Sequence, residues 1–349
     1  MKNSKTVLVT DYAWPSLDVE RKILAGVGAE LLVAETGEVD ELVRLAPQAD
    51  AILFNWKQVP SAVLRAANRC VAATRYGIGL DNIDLTVATK LGILVSNVPA
   101  YCVDDVADHT MALLLACDRK VGWFDRDIKA GRYDLKAQAP LRRLRGHTLG
   151  LVGLGKIGRA VAERAAAFGL RLLAMASRNP NAGVEQSSIE RVPFAELLAR
   201  SDYLSLHLPA TPETVTLFDR SAFGLLKPGV VIINTSRGSL LPAGELLRAL
   251  RSGKVAAAGL DVWLREPLPA GDALASHPRV VATPHAAFYS DESLVELQTT
   301  AASQIAVVLQ GCKPHNVVNP AVFESPRLRA RFASAQRHLP ASSRALRRV

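Results

Sequence analysis

The segment Thr148 to Gly169, T-L-G-L-V-G-L-G-K-I-G-R-A-V-A-E-R-A-A-A-F-G, constrains this chain more than any other stretch. An apolar run of strand character enters three closely spaced glycines, and a helix-forming run leaves them. Gly153, Gly155 and Gly158 fill the positions of a G-x-G-x-x-G turn. The first glycine permits a sharp turn, the second lets the backbone approach a pyrophosphate with no Cβ in the way, and the third allows helix and strand to pack closely. The free amides of the first helical turn then point at the anion. A lone glycine turn can be only a turn, but a strand before it and a helix after it make dinucleotide binding the expectation. The next strand ends at Leu173 to Ser177, where a site for NAD places an Asp or Glu against the adenosine ribose. Here stand Ala176, Ser177 and Arg178. With no carboxylate to repel a 2′-phosphate, and a hydroxyl and a guanidinium able to bind one, tolerance of NADP(H) or preference for it is expected. The duller alternative is that Arg178 is a solvated loop charge.

With 349 residues, 49% of them hydrophobic, the chain is long enough for two compact cores. In the first hundred residues, Val7 to Thr10, Glu30 to Val33, Ala51 to Phe54, Val71 to Thr74 and Ile93 to Ser96 read as strands separated by helical patterns, which implies a parallel α/β sheet. Residues 103 to 131 read as one long amphipathic helix, opened by Asp104 and Asp105 and closed by Gly131. A second alternation follows, with strands at 148 to 152, 171 to 176, 203 to 206, 230 to 234, 256 to 260 and 280 to 282. Residues 291 to 310 return to a helical pattern, and Asn316 to Asn319 suggest a short extended piece. No apolar run reaches the roughly 18 residues of a membrane span, and no signal peptide is expected. The four cysteines form no C-x-x-C pair, so neither a metal site nor a disulfide framework is expected, and a reducing cytoplasm suits them. Of the net charge of +9, residues 321–349 carry +6 through seven Arg and one Glu. That concentration predicts a solvated, disordered basic tail rather than a nucleic-acid surface.

Three groups fall at successive strand ends of the second alternation, the edge where open α/β sheets bind ligands. Arg237 follows V-V-I-I-N in N-T-S-R-G, Glu266 follows A-G-L-D-V in W-L-R-E-P, and His285 follows V-V-A-T-P. Reducing a 2-keto acid needs a cation to hold the carboxylate and polarise the carbonyl, and an acid to protonate the forming alkoxide. Arg and His supply these, and a carboxylate beside the imidazole fixes its tautomer and favours its protonated form. Singly, each has a dull reading: a surface ion pair, a turn residue before Pro267, a satisfied loop histidine. His207 in S-L-H-L-P is the rival acid, which spacing alone does not separate from His285, and His109 is expected to pack on the connecting helix.

At these residues the sequence resembles the D-isomer-specific 2-hydroxyacid dehydrogenases, over about residues 50 to 320. The likeness is carried by R-Y-G-I-G-L-D-N-I-D at 75–84, N-V-P at 97–99, G-L-G-K-I-G at 153–158, L-K-P-G at 226–229, N-T-S-R-G at 234–238, G-L-D-V-W-L-R-E-P at 259–267 and T-P-H at 283–285. The resemblance implies two doubly wound parallel-sheet α/β domains. A flavodoxin-like substrate domain, residues 1–103 and 292–320, carries an inserted Rossmann cofactor domain, residues 104–291, with the basic tail at 321–349. It implies that Arg237 binds the substrate carboxylate and carbonyl, Glu266 orients the imidazole, and His285 is the acid/base. The amides of Gly77, Ile78 and Gly79 add to carboxylate binding. The cofactor set becomes Gly153, Gly155, Lys156, Ile157, Gly158, Ser177, Arg178, His207, Pro209, Thr235 and Asp261, for NAD or NADP, with no metal. A homodimer is implied as well. Within the family, L-R-R-L-R-G at 141–146 and T-P-H-A-A-F-Y-S-D-E-S at 283–293 look like the subgroup of the C-terminal-binding proteins. There an aromatic faces the substrate three residues after the histidine, a place held here by Phe288. The expected activity is hydride transfer between a nicotinamide and a small D-2-hydroxy or 2-keto acid, of glyoxylate, hydroxypyruvate or longer type. The alternatives are D-3-phosphoglycerate dehydrogenase and, in another class, a dinucleotide-sensing corepressor-like binding protein.

Overall fold

The computed structural model describes residues 4–138, 140–176 and 189–332. The chain divides into two compact units, one of Met1–Tyr101 resumed at Asp291, the other of Cys102–Ser290. The first unit alternates β1 (Lys5–Val9), α1 (Asp18–Ala25), β2 (Ala29–Val33), α2 (Val39–Leu45), β3 (Ala51–Phe54), α3 (Ser61–Ala66), β4 (Ala72–Arg75), α4 (Leu85–Lys90) and β5 (Leu94–Ser96). Its strands pair in parallel in the order β2-β1-β3-β4-β5. Every residue of β3 and β4 is buried, Arg75 included, as expected of strands with no polar alternation in a sheet covered on both faces. Leu8, Ile52, Phe54, Val63, Leu64 and Ile93 lie at the centre of its core.

The second unit opens with α5 (Val103–Arg119) and α6 (Val121–Lys129), then runs β6 (Thr148–Val152), α7 (Lys156–Ala167), β7 (Arg171–Met175), β8 (Glu190–Val192), α8 (Phe194–Arg200), β9 (Tyr203–Leu206), α9 (Arg220–Leu225), β10 (Val230–Asn234), α10 (Ala243–Ser252), β11 (Val255–Leu260) and β12 (Val280–Ala282). Its seven parallel strands are ordered β12-β11-β10-β9-β6-β7-β8. The winding direction therefore reverses between β6 and β9, and a crevice opens at the carboxyl ends of strands where such a reversal occurs. Ala107, Met111 and Leu114 of α5 pack on Val231, Ile233 and Ala257 of the sheet. The chain then returns to the first unit through α11 (Asp291–Leu309).

The two parallel sheets have the expected architecture, and the expected strands form within two residues of their apolar runs; β8, three residues long, has no such run to announce it. Two expectations are corrected. The helix over 103–131 is broken at Lys120, which adopts φ +55 and ψ +33 between α5 and α6. Lys120 Nζ donates to the Gln138 carbonyl at 2.6 Å and Arg119 Nη1 to that of Arg142 at 3.1 Å, so contacts with the following loop hold the break where no Gly or Pro marks it. The basic tail also begins later than residue 321. Val322 and Ala330 are buried, and Arg329 Nη1 donates to the carbonyls of Ala67 at 2.6 Å and Cys70 at 3.1 Å. Residues 333–349 lie outside the described residues, while Asn316–Asn319 form no strand; Val318 N donates to the Val95 carbonyl at 2.9 Å, and the Asn316 and Asn319 side chains bond to the end of β5 and its neighbours. Among the described residues no helix is long and apolar enough to cross a membrane, and no group of three or more His, Cys, Asp or Glu could hold a metal ion.

Candidate active site

At the switch point, β6 runs into Gly153, whose φ of +109 suits glycine, and a Cβ there would stand 2.6 Å from the His207 carbonyl oxygen. Gly158 is equally obligatory, since its Cβ would stand 2.4 Å from the Gly153 carbonyl oxygen. Gly155 differs: its φ is −75 and nothing in the protein lies within 4 Å of where its Cβ would be. Two glycines answer to the chain's own packing, whereas the third leaves an open approach to the start of α7. There Lys156, Ile157 and Gly158 present amides with no intrahelical acceptor. A pyrophosphate is a group this cradle fits.

His207 lies against the same turn, its amide donating to the Val152 carbonyl at 2.9 Å and its Nε2 2.9 Å from the Ser205 hydroxyl. Burial pushes its pKa down to about 4, so near pH 7 it is the neutral imidazole, a poor proton donor. That weighs against His207 as the general acid. Pro209 is exposed, its carbonyl taken by the Thr214 hydroxyl at 2.6 Å, and Thr235 is buried with its hydroxyl 2.9 Å from that of Thr110. Ser177 and Arg178 lie outside the described residues.

The catalytic candidates come together through three loops. Beyond β10, Asn234 Oδ1 accepts the Ser236 amide at 3.0 Å and Asn234 Nδ2 donates to the Arg237 carbonyl at 2.8 Å, so N-T-S-R-G closes into a turn with Arg237 at its exit. Gly238 has no room for a Cβ, which would stand 2.0 Å from the Trp263 carbonyl carbon, and so the loops after β10 and β11 touch backbone to backbone. Trp263 donates its amide to Glu266 Oε1 at 2.8 Å and its indole N–H to the Thr283 carbonyl at 3.0 Å, tying the second loop to the third. Glu266 Oε2 accepts from His285 Nδ1 at 2.7 Å.

Burial pushes the Glu266 carboxyl up, but the hydrogen bond and charge of His285, the Trp263 amide and the Arg237 charge outweigh it and hold it below its ordinary value. An ionised carboxylate can only accept, so the proton of the pair sits on Nδ1 and Nε2 is the imidazole's working atom. Nε2 has no protein partner among the described residues, and the His285 side chain is 28% exposed. The Phe288 ring stands edge-on to the imidazole with centroids 6.2 Å apart.

His285 adopts φ +55, a left-handed conformation uncommon for a side chain this bulky. What holds it is Asp261 at the end of β11. The Asp261 carbonyl accepts the His285 amide at 2.7 Å, and its fully buried carboxyl accepts the Thr283 hydroxyl at 2.6 Å and the amides of Ala286 at 2.8 Å and Ala287 at 2.9 Å. His109 reaches in from α5, its Nε2 3.0 Å from the Thr283 hydroxyl. Asp261, expected among the cofactor contacts, thus has its carboxyl committed to the histidine loop. Gly77, Ile78 and Gly79 belong to the first unit, in the loop after β4.

Residues 111–287 match the family described as D-isomer specific 2-hydroxyacid dehydrogenase, NAD binding domain. A glyoxylate reductase of Korarchaeum cryptofilum is 37% identical over 270 residues, covering 76% of this chain and 81% of the relative. The chain belongs to the D-isomer specific 2-hydroxyacid dehydrogenase family. A D-3-phosphoglycerate dehydrogenase of Mycobacterium leprae is 39% identical over 78% of the chain, although the chain spans only about half, 51%, of that relative's length. The crystal structure of a D-lactate dehydrogenase from Aquifex aeolicus complexed with NAD and lactic acid is similar at 28% identity with a TM-score of 0.82, covering 90% of this chain and 99% of that one. Trp263 and the structural role of Asp261 escaped the sequence reading; the run L-D-V-W between β11 and Glu266 was their only signal.

Asp261→Ala would strand three donors, two partly buried and that of Ala287 fully so, and we expect it to cost about 2 kcal/mol. Urea unfolding checks this, and an unchanged midpoint would show that the histidine loop does not rest on this carboxyl.

Proposed function

We propose that the chain is an NAD(P)-dependent oxidoreductase that reduces small 2-keto acids to D-2-hydroxy acids. The observation that carries this reading is the 2.7 Å hydrogen bond from His285 Nδ1 to a Glu266 carboxyl that also feels the charge of Arg237. Within this reading, the bound nicotinamide supplies the hydride to the carbonyl carbon. Arg237 holds the carboxylate and draws electron density toward the carbonyl oxygen. His285 Nε2 gives a proton to that oxygen as it becomes an alkoxide, and Glu266 stabilises the imidazolium beforehand while fixing the ring. Phe288, edge-on to the imidazole, bounds the place of the substrate side chain and favours an apolar one.

The test is turnover of purified protein with glyoxylate, hydroxypyruvate and longer 2-keto acids. We expect His285→Ala to lose about 10²–10⁴-fold in kcat. Near wild-type rates in that variant would remove His285 from proton transfer, and no cofactor oxidation with any acid would remove the reading itself. The similarity to phosphoglycerate dehydrogenases favours D-3-phosphoglycerate as a second substrate class, to be assayed in the oxidative direction on the same preparation.

On cofactor choice, the sequence at Ala176–Arg178 favours acceptance of NADPH. We expect kcat/KM with NADPH to equal or exceed that with NADH, and Arg178→Ala to lower the NADPH value selectively. An NADH preference left intact by Arg178→Ala would overturn it.

We also propose a homodimer. Val121, Ile128, Tyr133, Leu135 and Leu141 cluster within 21 residues of the second unit, with Tyr133 95% and Leu135 81% exposed. Large exposed apolar side chains along one segment suit an association surface. Light scattering should give twice the chain mass for the wild type and the chain mass for a Tyr133→Asp/Leu135→Asp variant; a monomeric wild type would refute the proposal.

A further inference from the structure

The loop from Leu141 to Gly146, L-R-R-L-R-G, leads into β6 with three arginines and one anchor. Leu144 is buried in the core of the second unit, and the Gly146 amide donates to the Gly169 carbonyl at 2.9 Å, so the loop is tied down at the amino end of the sheet. Arg142, Arg143 and Arg145, joined by Arg119 from the end of α5, line a hollow of about 610 Å³ floored by Leu115, Leu144 and Phe168, the last of them 43% exposed. That volume lies in the ~300–1,000 Å³ range of small-molecule sites. Three of the guanidinium groups are seated by the chain itself. Arg119 Nη1 donates to the Arg142 carbonyl at 3.1 Å. Arg142 Nη2 lies 2.5 Å from where a Cβ at Gly229 would stand, and Arg145 Nη1 3.1 Å from where one at Gly169 would stand, so both rest on bare backbone.

What these arginines lack is an anion. Arg132, Arg164, Arg200 and Arg248 of the same unit each hold a carboxylate, but among the described residues no carboxylate forms an ion pair with Arg119, Arg142, Arg143 or Arg145. Two acids of this edge are committed elsewhere. Buried Asp118 accepts the Tyr203 hydroxyl, and Asp202 pairs with Lys227 at 2.6 Å and His147 at 3.2 Å. Burial, followed by the charges of Arg279 and Arg142, holds the Lys120 ammonium below its ordinary value, and Asp118 offsets this only in part. A recess lined by charges of one sign concentrates ligands of the other.

We infer that this hollow is a second nucleotide site, taking a nucleoside polyphosphate by its phosphates on Arg119, Arg142, Arg143 and Arg145 and by its base on Phe168. Guanidinium forks match phosphate oxygens two at a time, and four of them suit a chain of phosphates better than a single one. The exposed phenyl ring beside them offers a face on which any base can stack. The site is separate from the dinucleotide cradle. Residues 141–146 and Phe168 flank the amino ends of β6 and β7, whereas the glycine turn begins beyond the carboxyl end of β6. The five residues of that strand put roughly 16 Å between them.

Calorimetry with ATP, in saturating NADH and again in saturating NADPH, is expected to show binding that neither cofactor displaces. Arg143→Gln/Arg145→Gln should weaken it about tenfold or more while Kd for NADH stays within about twofold of wild type. Tripolyphosphate carries the charge without the base and should bind about tenfold more weakly than ATP, as should ATP to Phe168→Ala. Photolabelling of the wild type with 8-azido-ATP under the same conditions needs no variant, and should mark a peptide containing residues 141–145 or Phe168. None of these readings depends on turnover. Absence of ATP binding, displacement by either cofactor, an unchanged Kd in the double variant, or a label confined to the glycine turn would overturn the inference. Tripolyphosphate binding as tightly as ATP would overturn the assignment to a nucleotide and reduce the hollow to a general anion trap.

Discussion

The hydrogen bond between Glu266 and His285 is the interaction on which the proposed chemistry depends. An imidazole alone is symmetric in its two nitrogens; a carboxylate at 2.7 Å from Nδ1 breaks that symmetry and leaves Nε2 as the atom that can exchange a proton with a ligand. The pair does not assemble itself. Glu266 is held by the Trp263 backbone amide, and the same tryptophan's indole holds the histidine loop through the Thr283 carbonyl, so one residue spaces both partners. Gly238 closes the third side by letting the Arg237 loop lie directly on Trp263. A side chain at 238 would push the guanidinium away from the pair without touching any of the three functional groups.

The two strand-end histidines show why residue type alone could not identify the acid. His207 and His285 both follow apolar strands of the same sheet, yet one sits where burial drives its pKa to about 4 and the other has its Nδ1 2.7 Å from the Glu266 carboxylate. Environment decides the role. His207 instead supplies the backbone against which Gly153 must turn, which makes it part of the dinucleotide cradle by way of its carbonyl rather than its ring.

Much of this was legible from residue pattern. The apolar runs of a parallel sheet carry no alternation to confuse them, so the strands of both units except β8 could be read directly, and the glycine turn was marked by the spacing of 153, 155 and 158. Arg237, Glu266 and His285 were legible as candidates because each follows such a strand, but position alone did not separate His285 from His207; only the family resemblance did. The break at Lys120 was not, because it depends on hydrogen bonds to residues 138 and 142 rather than on any helix-breaking residue. Nor was the burial of Asp261, whose partners at 283, 286 and 287 lie more than twenty positions downstream and become neighbours only when β11 and β12 pair. The packed segment up to residue 332 looked like a tail because its arginines were counted as solvated charge, whereas Arg329 is occupied by two backbone carbonyls.

The inserted topology has a consequence for when the first unit can be complete. Its sheet closes locally, from β1 to β5, but the groups that finish its far edge arrive after the whole second unit: Asn319 Oδ1 accepts the Val95 amide at 2.8 Å while its Nδ2 donates to the Ile93 carbonyl at 3.0 Å, and Asn316 and Gln304 hold Asn97. These pairings span more than two hundred positions, and contacts of such separation are the slow ones to form, because chain entropy is lost before they contribute. A chain stopped after β5 would lack α11, whose buried Leu294, Leu297, Ala301 and Ile305 complete the unit's packing, and would leave the Val95 amide and the Asn97 carbonyl without their partners. The conformation of the first unit's β5 edge therefore depends on residues that the second unit separates from it in sequence.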